Sequence, residues 1–413
     1  MSDLLEPIVC EELAASRRTL RVAVVTETYP PEVNGVAKSA ARFVDGLRAR
    51  GHQIRLFRPR QGSADGGGEE QVLMRGMTIP RYPNLRMGLP AKRALERAWT
   101  FQRPDVVHLV TEGPLGWSAL RAAEKLKLPA VSDFRTNFHA YSSHYGVGWL
   151  KKPILAYLRK FHNRTAATLV PTEAIRASLA ALGFQRLRVI ARGVDTRLFD
   201  PARRSGELRA AWGAAGDRPV LLYVGRLAAE KNLPALIAAY DAAPRAKFVF
   251  VGDGPERRAL EARLPRAVFA GLRTGEDLAA HYASGDVFLF PSLTETFGNV
   301  TLEAMASGLA VVAFDYAAAA EAIRHDVSGA LVPCGDTAAF VRQAAALAGD
   351  LERVRRIGAN ARAAAGERGW ERVVRELEDA LAGAADQRSA SLPFMNAVPL
   401  TRTTRPSFVN STT

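Results

Sequence analysis

The chain has 413 residues, of which 48% are hydrophobic, and a formal net charge of +14. This length suits two domains of ordinary size, and even the most apolar long window, residues 304–323, contains polar and charged residues that argue against a membrane-spanning helix. Because Cys10 and Cys334 have no metal or redox spacing and residues 1–20 lack an apolar signal segment, we predict a cytoplasmic protein.

The positive charge is unevenly distributed. Residues 1–200 carry 31 Lys and Arg against 18 Asp and Glu, whereas residues 201–413 carry 25 against 24. Such asymmetry is typical of a protein in which one half faces an anionic partner. A general solubility surplus is the alternative, and a nucleic-acid-binding protein is a further alternative that rests on charge alone.

Short apolar runs alternate with helical stretches in the first half of the chain. An amphipathic helix is predicted over residues 37–50. We predict strands over residues 21–25, 54–57, 105–109, 129–132 and 167–170. These runs are continuously apolar, which is typical of parallel strands covered by helices on both faces. We therefore predict a Rossmann-like domain over residues 21–197, preceded by an extension over residues 1–20.

The second half repeats this alternation. We predict strands over residues 219–224, 247–251, 267–270, 287–290 and 309–314. The fold class is therefore α/β, with two doubly wound domains that face each other across a cleft. The second domain is predicted over residues 198–387, and its last helix could pack back on the first domain. The polar, Thr-rich residues 388–413 are predicted to form a disordered tail.

The first candidate site follows the strand over residues 219–224. Gly225 and Arg226 stand at its end and Lys231 follows five residues later, so two cations in one turn could hold a diphosphate. An ordinary solvated loop is the alternative. The next strand ends in Gly252-Asp253-Gly254, which is too short for a dinucleotide fingerprint and indicates a tight turn by itself.

The second candidate site lies in "FPSLTETFGNVTLEAMASG", residues 290–308. We predict a helix that starts near Asn299 as its N-cap, with Glu295 in the preceding loop and Glu303 close to the first turn. Helical side chains tilt toward the N-terminus, so Glu303 should lean toward Glu295. Both carboxylates could then accept from sugar hydroxyls while backbone N–H groups bind phosphate. For Glu303 alone, the alternative to ligand binding is a favourable interaction of its negative charge with the positive end of the helix dipole.

Two stretches of the first half add candidates. The loop after the first strand contains Asn34 and Gly35, where the backbone could approach a ligand, although a plain βα turn is the alternative. Arg135 and His139 follow a later strand. Beyond them, basic residues interleave with apolar ones, which fits either a helix on an anionic membrane or a helix with its apolar face in the core. The basic residues are Lys151, Lys152, Arg159 and Lys160.

These motifs together resemble the retaining glycosyltransferases of family 4, which have the GT-B fold, and in particular the branch of GDP-mannose-dependent α-mannosyltransferases and related glycolipid glycosyltransferases. The resemblance rests on "TETYPPEVNGVAKS", "ARGVDTRLFDP", "VGRLAAEKN", "VGDGP" and "FPSLTETFGNVTLEAMASGLAVVA". They occur in the family's order between about residues 21 and 335.

The resemblance implies roles for single residues. Arg226 and Lys231 would hold the donor diphosphate, Glu303 the ribose hydroxyls and Glu295 the transferred sugar. The donor-binding residues implied in full are Asn34, Gly35, Gly225, Arg226, Lys231, Gly252, Glu295, Phe297, Gly298, Asn299, Val300 and Glu303. No metal or other cofactor would be needed, because protein cations and helix termini stabilise the leaving nucleoside diphosphate.

One position departs from the family pattern. Many members have a His-Thr pair where this chain has Arg135-Thr136. Arginine stays charged and cannot act as a base, so Arg135 could instead hold an anionic acceptor or the diphosphate, with His139 as a replacement for the family histidine.

The resemblance thus predicts retaining transfer of a sugar to a lipid-linked or glycan acceptor, at the inner face of the cytoplasmic membrane, with GDP-mannose as the first choice of donor. UDP-glucose, UDP-galactose and UDP-glucuronate remain alternatives, because no motif reads the base. A sugar-nucleotide epimerase, which would need no acceptor, and a catalytically inactive lipid-binding scaffold also remain open.

Overall fold

A computed structural model describes residues 18–32, 34–62, 65–68, 70–79, 82–135, 151–295 and 297–391. Predictions for His139, Thr136 and the tail beyond residue 391 lie outside these residues, as does the side chain of Lys151. Within them the chain forms two parallel sheets and a separate hairpin. Helices and strands are numbered below in chain order over this described part.

The first sheet is parallel and seven-stranded, in the order β3-β2-β1-β6-β7-β8-β9. Its strands are β1 (Arg21–Val25), β2 (Gln53–Pro59), β3 (Gln71–Met74), β6 (Val106–Leu109), β7 (Ala130–Asp133), β8 (Ala167–Val170) and β9 (Leu187–Val189). The hairpin consists of β4 (Gly76–Ile79) and β5 (Tyr82–Gly88). All five predicted strands of this half are present, because helices cover both faces of the sheet and favour continuous apolar runs.

The second sheet is parallel and six-stranded, in the order β12-β11-β10-β13-β14-β15. Its strands are β10 (Val220–Val224), β11 (Lys247–Val251), β12 (Val268–Gly271), β13 (Val287–Phe290), β14 (Ala310–Phe314) and β15 (Ala330–Val332). The five predicted strands are present here too. Both central strands, β10 and β13, are buried along their whole length, which is why their sequence shows no polar alternation.

Helices flank both sheets. Those of the first half are α1 (Gly35–Ala49), α2 (Lys92–Phe101), α3 (Pro114–Lys125), α4 (Lys151–His162) and α5 (Glu173–Ala181). Those that follow are α6 (Gly206–Ala211), α7 (Leu233–Ala242), α8 (Arg257–Arg263), α9 (Gly275–Ala283), α10 (Asn299–Ala306), α11 (Ala317–Ala322), α12 (Thr337–Ala348), α13 (Leu351–Gly366) and α14 (Trp370–Ser391). No helix in the described ranges is long and apolar enough to cross a bilayer.

Each sheet has a topological switch point. In the first sheet the chain runs from β1 outward to β3 and then returns to β6, which lies on the other side of β1. In the second sheet it runs from β10 outward to β12 and then returns to β13, which lies on the other side of β10. Ligands of doubly wound sheets bind outside the carboxyl ends of the strands at such points. The fold therefore places residues that follow β1, β6, β10 and β13 at two candidate binding edges.

The last helix, α14, packs against the first sheet although it follows the second. Val373, Leu377 and Leu381 belong to the same buried cluster as Val22 of β1 and Phe43 of α1. The chain thus crosses between the domains twice. Helix α14 also extends to Ser391, so residues 388–391, which we predicted as the start of a disordered tail, are helical.

Candidate active site

A cavity of about 1010 Å³ lies between the switch points of the two sheets and is lined by both domains. Among the predicted site residues, those that line it are Asn34, Gly35, Arg135, Gly225, Arg226, Lys231, Glu295, Phe297, Gly298, Asn299 and Val300. They follow β1, β7, β10 and β13, which are separated in sequence but meet where the carboxyl ends of the strands face each other. Gly252 and Glu303 do not line this cavity.

The two cations after β10 each lie beside a carboxylate. The half-exposed Arg226 has Nη1 3.5 Å from Glu230 Oε1, and Lys231 Nζ donates to Glu295 Oε1. Ser292 Oγ donates to the same carboxylate oxygen at 2.9 Å. Lys231 and Glu295 are mostly buried, so their attraction is weakly screened by water. An entering diphosphate would compete with these two acids for both cations.

The turn before α10 differs by one residue from the prediction. Helix α10 begins at Asn299, and its N-cap is Gly298, whose φ of 89° lies in the left-handed region. Glycine adopts this φ without the steric cost of a Cβ. Within the described chain no side chain caps this helix. The N–H of Thr301 donates to the Gly298 carbonyl at 3.1 Å, so the N–H groups of Asn299 and Val300 and the positive dipole end are left for an anion beside Lys231.

Glu303 is partly exposed and does not line the cavity. Tyr282 Oη donates to Glu303 Oε2 at 2.9 Å. Burial raises the pKa of the Glu303 carboxyl, while the Tyr282 hydrogen bond opposes that rise. We predicted that Glu303 and Glu295 approach one ligand. Of these two residues, only Glu295 lines the cavity, and the ribose-binding role of Glu303 stays a prediction.

The loop after β1 brings the first domain against the second. Asn34 Oδ1 accepts from the N–H groups of Val36 and Ala37 and so caps α1. Gly35 is close to Arg192 of the segment between the domains: a Cβ at Gly35 would lie 3.3 Å from Arg192 Nη1. Arg192 in turn donates to Asn299 Oδ1 at 3.4 Å. Glycine thus permits a close approach of two loops at the cavity.

Arg135 is held in a buried polar cluster. Its Nε donates to Asp133 Oδ2 at 3.0 Å, and His108 Nε2 lies 3.2 Å from Asp133 Oδ1. The Arg135 guanidinium also lies 4.8 Å from the Phe43 ring centre. Burial alone would raise the pKa of Asp133, but Arg135 and His108 outweigh it and lower that pKa to about 2. Arg135 therefore has a structural partner as well as a place at the cavity.

Gly252 has a packing role. A Cβ on this residue would collide with the carbonyl of Gly225, so Gly252 allows the ends of β10 and β11 to pack closely. It supports the loop that carries Arg226 without lining the cavity itself.

Sequence reasoning missed several cavity residues, and Arg192, Glu27 and Glu112 are three of them. Arg192 lay within the quoted motif "ARGVDTRLFDP" but had no assigned role. Glu27 and Glu112 follow β1 and β6 and are both buried. In the sequence, the only sign of a role for these two acids is their position directly after a strand. Many acidic residues in loops share that position, so it does not single them out.

The basic helix α4 contacts protein with its apolar side. Leu158 and Phe161 are buried, whereas Lys152, Arg159 and Lys160 are exposed. Ile154, Tyr157 and Leu158 line the cavity. The apolar face therefore packs mainly within the first domain, and the cations form an exposed face of the same helix.

Comparison with known proteins agrees with this architecture. Residues 33–198 match the family described as "Glycosyltransferase Family 4", and residues 218–350 match "Glycosyl transferases group 1". A protein of Mycobacterium tuberculosis named GDP-mannose-dependent alpha-mannosyltransferase is 37% identical over 325 residues, which are 77% of this chain and 85% of the relative.

Other relatives carry different names. The sulfoquinovosyl transferase of Arabidopsis thaliana is 32% identical over 95% of this chain and 76% of its own length. The alpha-monoglucosyldiacylglycerol synthase of Streptococcus pneumoniae is 28% identical over 71% of each chain. Among solved structures, a sucrose-phosphate synthase from Thermosynechococcus elongatus superposes with a TM-score of 0.75 and 20% identity, covering 91% of this chain and all of the other. That likeness establishes the two-domain GT-B fold.

Proposed function

This chain belongs to glycosyltransferase family 4 and is a hexosyltransferase, and we propose that it transfers mannose from GDP-mannose, with retention of configuration, to a hydroxyl of a lipid-linked acceptor. One observation carries the proposal: Lys231 and Glu295 form an ion pair just before the open N-terminus of α10, and Arg226 lines the same cavity, which both domains share. The name of the mycobacterial relative supports the choice of donor.

The donor diphosphate would bind between the two cations and the first turn of α10. Its charge would replace the Glu230 and Glu295 carboxylates as partner of Arg226 and Lys231. Glu295, released from Lys231, would then accept hydrogen bonds from hydroxyls of the transferred sugar. Binding would thus rearrange the Lys231–Glu295 ion pair.

The same groups would stabilise the leaving group. Negative charge grows on the diphosphate as the glycosidic bond breaks, and fixed cations and helix N–H groups lower the energy of that charge in a partly buried site. No metal is needed in this scheme, because the protein supplies the positive charge. The acceptor hydroxyl would attack from the same face, and the departing phosphate would take its proton.

The acceptor would enter along the first domain. That wall of the cavity includes the apolar Ile154, Tyr157 and Leu158 of α4, which suits an amphiphilic molecule. Lys152 and Lys160 on the exposed face would hold the enzyme at the anionic inner face of the cytoplasmic membrane.

The test is a donor screen. Purified protein is incubated with GDP-mannose, UDP-glucose, UDP-galactose or UDP-glucuronate, each with and without a bacterial lipid extract, and nucleoside diphosphate release and labelled lipid are measured. We expect GDP-mannose to give lipid-dependent release. Preferential use of a UDP-sugar would favour a UDP-dependent glycolipid synthase, a second candidate that the name of the pneumococcal relative supports. Conversion of a UDP-sugar to its epimer without acceptor would overturn both.

A further inference from the structure

Glu112 is a buried acid on the first-domain wall of the cavity. It follows β6, is 6% exposed and lines the cavity. Its Oε1 is buried and has no hydrogen-bond partner in the part of the chain that the structure describes. Buried carboxyl oxygens normally have a partner, so a polar group that enters the cavity would supply the missing hydrogen bond.

The loop that carries Glu112 is fixed in place. Tyr157 Oη of α4 donates to the backbone carbonyl of Glu112 at 2.7 Å. On the other side, a Cβ at Gly113 would collide with the Glu27 carboxylate, which shows how closely β1 and this loop approach. Glu112 is therefore positioned before any ligand binds, which reduces the entropy cost of binding.

The neighbouring acids are already engaged. The N–H groups of Leu115 and Gly88 donate to Glu27 at 2.8 and 3.2 Å, and Asp133 is paired with Arg135. Burial, followed by the nearby Glu27 and Asp133 carboxylates, raises the pKa of Glu112 to about 8. At neutral pH its carboxyl is thus mostly uncharged and can both donate and accept, as a sugar or glycerol hydroxyl also does.

We propose that Glu112 is an acceptor-binding residue that forms a hydrogen bond with a hydroxyl of an amphiphilic acceptor. The inference rests on the proposed function, because the donor-binding groups Arg226, Lys231 and Glu295 occupy the opposite wall. The apolar side chains of Ile154 and Leu158 line the same side of the cavity as Glu112. An acceptor with a polar head and an apolar body matches this arrangement.

The experiment compares Glu112→Gln, Glu112→Ala and wild type in steady-state transfer from GDP-mannose. The acceptor probes are octyl β-D-glucopyranoside, dioleoylglycerol and phosphatidylinositol, the last two in detergent micelles. Glu112→Ala should raise the acceptor KM about 3- to 10-fold, the loss expected for one neutral hydrogen bond, and leave the GDP-mannose KM and the rate of donor hydrolysis unchanged. Glu112→Gln keeps a donor and an acceptor, so its acceptor KM should stay within about 3-fold.

Three results would overturn the inference. They are an unchanged acceptor KM in Glu112→Ala, a rise of the acceptor KM in Glu112→Gln equal to that in Glu112→Ala, and a wild-type enzyme that releases GDP from GDP-mannose but transfers to none of the three probes. Failure of wild type to release nucleoside diphosphate from any sugar nucleotide, with or without lipid extract, would instead contradict the proposed function. Glu367→Gln, an exposed acid outside the cavity, is the matched control.

Discussion

Replacing Glu112 by Gln should change how the stability of the protein depends on pH. In the unfolded chain this carboxyl has its ordinary pKa of 4.5, whereas burial beside Glu27 and Asp133 raises its pKa in the folded protein to about 8. Between these pH values the unfolded chain releases a proton that the folded chain retains. The free energy of unfolding of wild type therefore falls as pH rises through this window, and Glu112→Gln lacks that contribution.

The magnitude follows from the two pKa values. Each pH unit between them corresponds to 1.36 kcal/mol, so the gap from 4.5 to about 8 amounts to about 5 kcal/mol. At pH 4.5 the two proteins should differ only by the intrinsic effect of the amide. By pH 8 Glu112→Gln should have gained about 5 kcal/mol relative to wild type.

Urea unfolding at pH values from 4.5 to 8.5, followed by tryptophan fluorescence, measures this difference. Trp99 is buried in the first domain and Trp117 lies on α3, so the signal includes the domain that contains Glu112, while Trp212 reports the second domain. Glu367→Gln should parallel wild type at every pH. A stability difference between Glu112→Gln and wild type that is constant over this range would refute the argument that the folded protein keeps Glu112 protonated.

Three further predictions concern other parts of the molecule. Lys231→Ala should weaken GDP-mannose binding about 10- to 100-fold in calorimetry, because the diphosphate loses a charge-assisted hydrogen bond. Changing both Lys152 and Lys160 to Glu should reduce sedimentation with phosphatidylglycerol vesicles and leave donor affinity unchanged, because these exposed cations line no part of the cavity. Gly113→Ala should lower the free energy of unfolding by about 1–3 kcal/mol in thermal denaturation, because the added methyl group collides with Glu27.

Each has a contrary result, and the first two also have a control variant. Lys247→Ala, outside the cavity, should bind donor normally, and an unaltered donor affinity in Lys231→Ala would contradict the diphosphate site. The control for the membrane prediction changes Arg355 and Arg356 of α13 to Glu, which is the same change in net charge. Equal vesicle binding by the two variants would show that α4 does not contact the membrane. For Gly113→Ala, a melting temperature equal to that of wild type would show that the loop relaxes around the methyl group.

The sequence predicted the frame of the fold because parallel strands covered on both faces are continuously apolar. It did not predict β3, the β4–β5 hairpin, β9 or β15. Strands β3, β4, β9 and β15 have only three or four residues each, and β5 contains a Pro, an Asn and an Arg that resemble a loop. The turn before α10 was misplaced by one residue because Asn299 is a common N-cap type, whereas the local backbone uses Gly298 in the left-handed region.

Residues of the candidate site were predicted where charged residues follow shortly after a predicted strand, as Arg226 and Lys231 follow β10. The ion pairs of this site could not be predicted, because Lys231 and Glu295 are 64 residues apart and nothing in either segment specifies the other. Arg135 drew attention as a departure from the family pattern, but its partnership with Asp133 and His108 depends on the packing of β6 against β7. Glu112 was missed because burial, which gives this acid its chemistry, is a property of the folded chain.

The return of α14 to the first sheet has a consequence for the order of folding during synthesis. Val373, Leu377 and Leu381 complete a core that begins with Val22 of β1, so the first domain cannot close its core when its own strands leave the ribosome. It must wait until the second domain and then residues 370–385 have emerged. A nascent chain that ends before Trp370 would therefore expose the apolar surface of its oldest sheet, which makes early termination of translation a route to aggregation.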